Sequence, residues 1–444
     1  MRTKTRDTSE YGLAYVSGLL RMETNRTMTE IGRKNSLSGQ NVQHFMSHSP
    51  WRSEAVIAEI HYQVRGHPEF QNDAMLIFDE SADERAGEMA AGAGRQHNGR
   101  LGKVEMSQVG VFASLVTPRV NTWIDGELFL PEGWFEPSAA KRREKVGIPE
   151  DLCFQTKPEL VWVMVERILA AKVPFVAVAM DSLYGRNQRL RNRLDLVGIE
   201  YYGDVPANTT VYLDKPEVRY RNNKRSKKGK RTVAAVHRYT VSDLYRHAPM
   251  ERAHLTLRPC ERGMLQAEFA RCRVWTLIDD KPRQEWLLVR RNGKDVTYIL
   301  SNAPIDTSLQ TMAWRKSHRY FIERSNQDAK SELGWDEFQA IKYRAWHHQL
   351  AITILASWFI ADTRLDWMER FQHDAELLTE YETDALPHLS VANVRKLLLA
   401  AMPLPRLDPE QAVELVMEHL VNRTRSRRSR MKKSRLPSRN ARSP

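Results

Sequence analysis

The stretch "VPFVAVAMDSLYG", Val173 to Gly185, carries small and apolar residues straight into an aspartate, followed at once by Ser182, Tyr184 and Gly185. A short apolar run bounded by turn signals reads as a strand buried on both faces. Such a strand ends where it meets solvent, and its last side chain projects into the cleft there. Asp181 is therefore either a catalytic carboxylate or a polar residue closing a strand. Its neighbours have to decide between the two.

Upstream, "TKPELVWVMVERILAAK" predicts a helix, because Thr156 and Glu159 make a capping box and Pro158 sits in the first turn. Downstream, "RNQRLRNRLDLVG" predicts a helix ended by Gly198, and "EYYGDVPANTTVYL" a strand. Further back, "AMLIFDE" predicts a first strand ending at Asp79, a Gly-rich link, and a second strand in "VEMSQVGVFASLV". In "VNTWIDGELFLP", Asp125 and Gly126 read as hairpin turn residues. The order of three strands, a helix, a strand, a helix and a strand describes a mixed sheet with helices packed on it.

Outside this block, residues 1–70 read as all-helical, with Leu13, Val16, Leu19, Leu20 and Met22 at helical spacing. Thr29 can cap one short helix and Ser38 a second, a pattern compatible with a helix-turn-helix that carries Gln40, Asn41, Gln43 and His44 outward, and equally with plain helical packing. Residues 215–304 change character: a basic run is followed by a β-rich insertion, with two strands of "EWLLVRRNGKDVTYILSN" joined at Asn292 and Gly293 and with Trp275 and Trp286 packing it. "LQTMAWRKSHRYFIERSNQDAKSELG" then predicts one long helix stopped by Gly334, and "WDEFQAIKYRAWHHQLAITILASWFIADTRL" another. Residues 391–444 read as a helical extension and a tail.

The net charge of +13 is unevenly spread, since Arg423 to Pro444 holds ten Lys or Arg and no acid, which leaves +3 elsewhere. Such a block cannot bury itself, so disorder and a polyanionic partner are expected, with Arg427 and Arg428 among the contacts. A second basic run, Arg219 to Arg231, offers Lys224, Arg225, Lys227 and Lys228. Two acid-free runs point to nucleic acid. The longest apolar run, "LAITILASWFIA", has 12 residues where a span needs about 20, and no apolar signal core opens the chain. Three scattered cysteines fit neither a zinc knuckle nor a disulfide scaffold, so a reducing cytoplasm, DNA-associated and without membrane contact, is expected.

In a sheet of this order the first strand and the strand after the first crossover can lie parallel and adjacent, placing Asp79 beside Asp181. Neighbouring carboxylates are best tolerated with cations between them, and two metals about 3.5 to 4 Å apart serve in-line displacement at phosphorus. On the late helix Arg319, Glu323 and Lys330 are spaced by 4 and 7 residues, which puts them on one face and offers a carboxylate flanked by two phosphate-binding cations. Taken without further context, Glu323 is a surface residue paired with Arg319 one turn back. Tyr184 either meets DNA beside Asp181 or packs behind the site.

These segments resemble a known family, the DDE transposases of bacterial insertion sequences, most closely the insertion-sequence seven-zero-one group of the insertion-sequence-four-like superfamily. The resemblance rests on "DES" at Asp79 to Ser81, "GAGRQHNGRLGKVEMSQVGVF" at Gly92 to Phe112, "LFLPEGW" at Leu128 to Trp134, "DSLYG" at Asp181 to Gly185, "YILSNAP" at Tyr298 to Pro304 and "RYFIERSNQDAKSELGWD" at Arg319 to Asp336. It implies an RNase H-like five-stranded core in residues 71–214 and 305–390, with Asp79, Asp181 and Glu323 as a catalytic, metal-binding triad for two Mg²⁺ (or Mn²⁺) ions. It places Arg319 and Lys330 in the Arg and Lys positions of the R-x3-E-x6-K signature. Departures are Lys316 for the superfamily's tyrosine, Glu80 for the group's second aspartate, and Gln339, Ile341 and His348-Gln349 in the following helix.

The implied activity is binding of terminal inverted repeats, hydrolysis at the element ends and attack of the freed 3′ hydroxyl on target DNA, with double-stranded DNA as partner and a homodimer formed on it. The rival readings are an inactive or domesticated transposase-derived DNA-binding protein, separated by metal-dependent nicking, and a structure-specific nuclease, separated by recovery of joined products.

Overall fold

The computed structural model describes the chain apart from residues 2–5, 100–101, 224–225, 235, 261–262 and 387 and, beyond Leu404, all but scattered positions; of the side chains in 220–235 and 259–263 nothing is described. Four helices open it: α1 (Ser9–Arg21), α2 (Met28–Lys34), α3 (Gly39–Ser47) and α4 (Ser53–Gly66). α2 begins two residues earlier than expected, because Thr27 rather than Thr29 accepts the Glu30 amide. Gln40, Asn41, Gln43 and His44 are exposed on α3, while Val42, Phe45 and Met46 are buried beneath them.

The strands are β1 (Met75–Glu84), β2 (Gly94–Asn98), β3 (Lys103–Val116), β4 (Asn121–Phe129), β5 (Ala177–Met180), β6 (Tyr201–Val205), β7 (Thr210–Val211), β8 (Glu217–Asn223), β9 (Ser226–Ala234), β10 (Tyr239–Thr240), β11 (Glu251–Cys260), β12 (Gly263–Ile278), β13 (Lys281–Asn292) and β14 (Asp295–Ser301). Ten of them join one mixed sheet, in which β4 pairs with β3 and the order continues β3, β1, β5, β6, β14, β13, β12, β11, while β2 also lies against β3. β1 is antiparallel to β3 and parallel to β5, and β5 is parallel to β6. The strand runs of the insertion therefore continue the central sheet through β14 and β6.

The remaining helices are α5 (Ala140–Val146), α6 (Lys157–Ala170), α7 (Ser182–Gly185), α8 (Gln188–Leu196), α9 (Val241–His247), α10 (Leu309–Ser317), α11 (Tyr320–Ser331), α12 (Tyr343–Arg370), α13 (Ala375–Glu380) and α14 (Val391–Ala401). α6 starts on the Thr156–Glu159 capping box, and Gly198 closes the turn after α8 with a φ of 75°. α12 is buried along much of its length, so its apolar half packs as core.

Five sequence expectations are corrected. β1 does not end at Asp79; β3 pairs with it as far as Glu84, and only the parallel neighbour β5 stops, opposite Phe78. The Gly-rich link contains β2. Asp125 and Gly126 are not a hairpin turn: β4 runs through them with an irregularity opposite Ala113 and Ser114, Asp125 is wholly buried against Arg167, and a Cβ on Gly126 would lie 2.9 Å from Leu350. The long helix before Gly334 is two, broken at His318 and Arg319, where successive amides bond three residues back and the His318 ring engages the Trp314 carbonyl. The helix after Gly334 starts only at Tyr343.

Met1–Leu398 form one compact unit and Leu399–Pro444 a second. In the second, the described residues beyond Leu404, Arg427 and Arg428 among them, are helical and exposed, where disorder was expected. Arg, Met and Glu favour helix even when every face is wet. The rest of that basic tail lies outside the described residues.

Candidate active site

Three parallel strands set out the site. Phe78 of β1 pairs with Met180 of β5, and Met180 with Gly203 of β6. One residue further on, Asp79, Asp181 and Asp204 stand in a row across the sheet, the first two where the apolar runs of their strands give out. Asp181 also caps α7, its Oδ1 accepting the amides of Leu183 at 2.9 Å and Tyr184 at 3.4 Å. Gly185 lets α7 lie on β6: a Cβ there would come 2.2 Å from the Asp204 carbonyl oxygen.

Burial pushes the Asp79 carboxyl up to about 7, opposed by the Arg319 guanidinium and reinforced by Asp181 and Glu80. Burial likewise raises Asp181, with Glu80 adding to the rise and Arg319 opposing it. Neighbouring carboxylates of this kind call for a cation.

Glu80 is the carboxylate that sequence reasoning placed only as a departure. It leaves β1 on the side away from Asp79. The Tyr184 hydroxyl donates to its Oε2 at 2.7 Å, and the Lys157 ammonium lies 3.1 Å from its Oε1. Tyr184, expected as a DNA contact, is instead fully buried behind the site.

α11 brings the third side. Arg319, just before its first residue, donates to Glu323 Oε1 at 2.8 Å, while its guanidinium lies 4.0 Å from Asp79 and 3.9 Å from Asp204. Glu323 is thus one guanidinium away from Asp79, with a side chain 54% exposed. Among the described residues no three His, Cys, Asp or Glu side chains converge closely enough to hold a metal ion. The donor set still fits a hard divalent cation: carboxylate oxygens only, two of them mutually repelling, with a protein cation now lying against them. Glu323, whose Oε1 is taken up by Arg319, could join that set only on releasing it.

Asp204 was not singled out from sequence, because the run of β6 does not stop at it. Its Oδ1 lies 2.7 Å from the ammonium of Lys316, which is buried and for that reason has a lowered pKa. Lys330 does not join Arg319: its Nζ donates to the Ala82 carbonyl at 2.7 Å and lies 2.8 Å from Asp83 Oδ1. Spacing put it on the right face, but at the far end of a helix that crosses β1. A cavity of about 790 Å³ opens beside Arg319, lined by Arg258, Arg290, Lys316, Arg324, Asp204 and Glu323. Lys224 and Arg225, and the side chains of Lys227 and Lys228, lie outside the described residues.

Among the described residues no helix is long and apolar enough to cross a membrane. The chain is 25% identical over 332 residues to a probable transposase for insertion sequence element IS701 from Microchaete diplosiphon, covering 72% of this chain and 73% of that protein. The solved NurA nuclease from Sulfolobus solfataricus resembles it with a TM-score of 0.28 and 10% identity, over 70% of this chain and 92% of that one, too weakly to carry an argument. Residues 2–260 match the family described as DDE superfamily endonuclease. With more than half of its length inside that match, the chain belongs to the DDE superfamily endonucleases.

Proposed function

We propose that this chain is a DNA transposase of the insertion-sequence type, with Asp79, Asp181 and Glu323 as its catalytic carboxylates. The observation that carries the reading is the row of Asp79 and Asp181, each one residue past the last parallel pair of β1 with β5, with Glu323 held one guanidinium away. The order β4, β3, β1, β5, β6 supports an RNase H-like core interrupted by the insertion of β11 to β14. The exposed polar face of α3 supports assigning residues 1–70 to DNA, with the protein acting as a dimer on element ends.

Two Mg²⁺ or Mn²⁺ ions held by these carboxylates would activate the attacking oxygen and stabilise the leaving one at a phosphodiester. The chain's own residues do the rest. Asp181 is fixed by the first amides of α7, and Glu80, held by Tyr184 and Lys157, backs it with negative charge. Arg319, once free of Glu323, is placed to hold a phosphate oxygen, and the cationic cavity beside it gives the strand a path.

The test is nicking of a duplex carrying the ends that flank this reading frame, with and without Mg²⁺. Metal-dependent nicks and joined products are expected, and both should vanish in Asp79→Ala, Asp181→Ala and Glu323→Ala while DNA affinity holds. Full cleavage by Glu323→Ala would leave its pairing with Arg319 as its whole role.

A further inference from the structure

Arg319 stands in an unusual position for a side chain whose expected task is to hold substrate. Its guanidinium donates to Glu323 at 2.8 Å, yet it also lies at 4.0 Å from Asp79 and 3.9 Å from Asp204, the outer two of the three aligned aspartates. Its Nε is buried without a hydrogen-bond partner. The two longer contacts are Coulombic and exceed hydrogen-bond length. The side chain is therefore shared among three carboxylates and fully engaged with only one of them. Two of the three, Asp79 and Glu323, are the residues that would hold a divalent ion.

Asp204 differs from those two. It lies on the same row but its Oδ1 is already matched to Lys316 at 2.7 Å, a buried ammonium, so its charge is balanced within the protein. Its Oδ2 faces Arg319. A carboxylate fixed on one side by a buried lysine and open on the other is a ready seat for a guanidinium displaced from its neighbours.

We infer that Arg319 is an internal counter-ion that holds the place of the divalent cation between Asp79 and Glu323, and that Asp204, fixed by Lys316, is the seat to which it withdraws when the cation enters. This rests on the metal-site reading above and extends it: cation entry seats Arg319 on Asp204, at the rim of the cationic cavity where a phosphate would lie. Arg319 competes with the metal, and Asp204 is a positioning residue that acts through Arg319.

Binding of Mn²⁺ to the full-length protein, read from the electron paramagnetic resonance signal of the free ion, tests this without any turnover. Arg319→Ala should bind Mn²⁺ at least about tenfold more tightly than wild type, well inside the upper bound that one charge at roughly 4 Å sets through an effective dielectric near 20. Asp204→Asn should bind several-fold more weakly. In the Arg319→Ala background the Asp204→Asn change should then have no effect, whereas simple loss of a nearby negative charge would weaken binding equally in both backgrounds. Because Asp204→Asn strands the buried Lys316 charge, the same cycle is run with Lys316→Met added, which removes both charges of that pair together. Equal or weaker binding by Arg319→Ala, or an Asp204→Asn effect that persists without Arg319, overturns the inference and leaves the metal site standing. Failure of every protein to bind Mn²⁺ overturns the metal site and the inference with it.

Discussion

The Lys330 ammonium lies 2.8 Å from the Asp83 carboxylate, on side chains only 14% and 5% exposed. A cation so engaged holds α11 to the far half of β1. Lys330→Ala leaves the buried Asp83 carboxylate without its ammonium, held only by the Trp335 indole N–H at 2.7 Å and the field of Arg85, which costs up to about 3–5 kcal/mol. Denaturant unfolding should show that loss, while the salt dependence of DNA binding stays as in wild type. A flatter salt dependence with unchanged stability would return Lys330 to the phosphate-binding set.

Asp79 gives a prediction of the opposite sign for stability. Its carboxyl is raised from 3.8 to about 7, chiefly by burial. Between those values the folded protein holds the proton more than the unfolded chain does, so stability falls as pH rises through that window and levels off above it. Asp79→Asn escapes that fall. In EDTA its melting temperature should exceed that of wild type increasingly from pH 4 to 7 and by a constant margin above.

His348 is a buried imidazole set between two backbone carbonyls, which favour its charged form while burial disfavours it more strongly. Its ring stacks on Trp51 at 3.7 Å between centroids, with Nδ1 2.9 Å from the Met46 carbonyl and Nε2 3.0 Å from the Trp51 carbonyl. Burial lowers its pKa to about 4. The unfolded chain takes up the proton below about 6.5 while the folded one does not, so this site removes stability as pH falls from 6.5 to 4. The difference in unfolding free energy between wild type and His348→Gln should therefore shift toward the variant across that range; no shift would mean the ring is protonated in the fold.

Gly185 and Gly203 let α7 and β6 touch. Gly185→Ala would place a methyl 2.2 Å from the Asp204 carbonyl oxygen, with backbone and not a flexible side chain in its way. A loss of about 1–3 kcal/mol is expected, with a larger fall in nicking rate, because Asp181 and Asp204 both ride on the displaced segments. Chemical denaturation and single-turnover cleavage measure the two effects.

The tail prediction needs only charge. Truncation after Asn422 removes ten cations, so binding to any duplex should weaken by a similar factor and the plot of log K against log salt should flatten. Discrimination between end and random DNA should survive; its collapse would make the tail a sequence reader.

Asp79 and Asp181 were legible because parallel buried strands show as apolar runs, and the residue after the run marks the cleft. A related signal stood in "YYGDV", but there Asp204 is followed by the buried Val205 within β6, so the run does not stop at the aspartate. Asp125 with Gly126 was misread because one dipeptide suits both a tight turn and an irregular strand; the wholly buried partner of Arg167 decides it, and that contact is between distant segments. The break at His318 and Arg319 was illegible, since no Gly or Pro marks it; there the Trp314 carbonyl is engaged by the Ser317 hydroxyl and the His318 ring. Lys330 was assigned by helix phase alone, which fixes a face but not what the helix crosses.

The row of Asp79, Asp181 and Asp204 has a consequence for how the protein is made. All three aspartates leave the ribosome well before Lys316 and Arg319, the cations that lie against Asp79 and Asp204 and whose field, from Arg319, reaches Asp181. The nascent sheet therefore carries a ridge of unmatched negative charge until α10 and α11 emerge and dock, and these non-local contacts come late. A chain cut short before α10 has the strands but lacks Lys316 and Arg319, so synthesis must pass that helix pair before the centre can close.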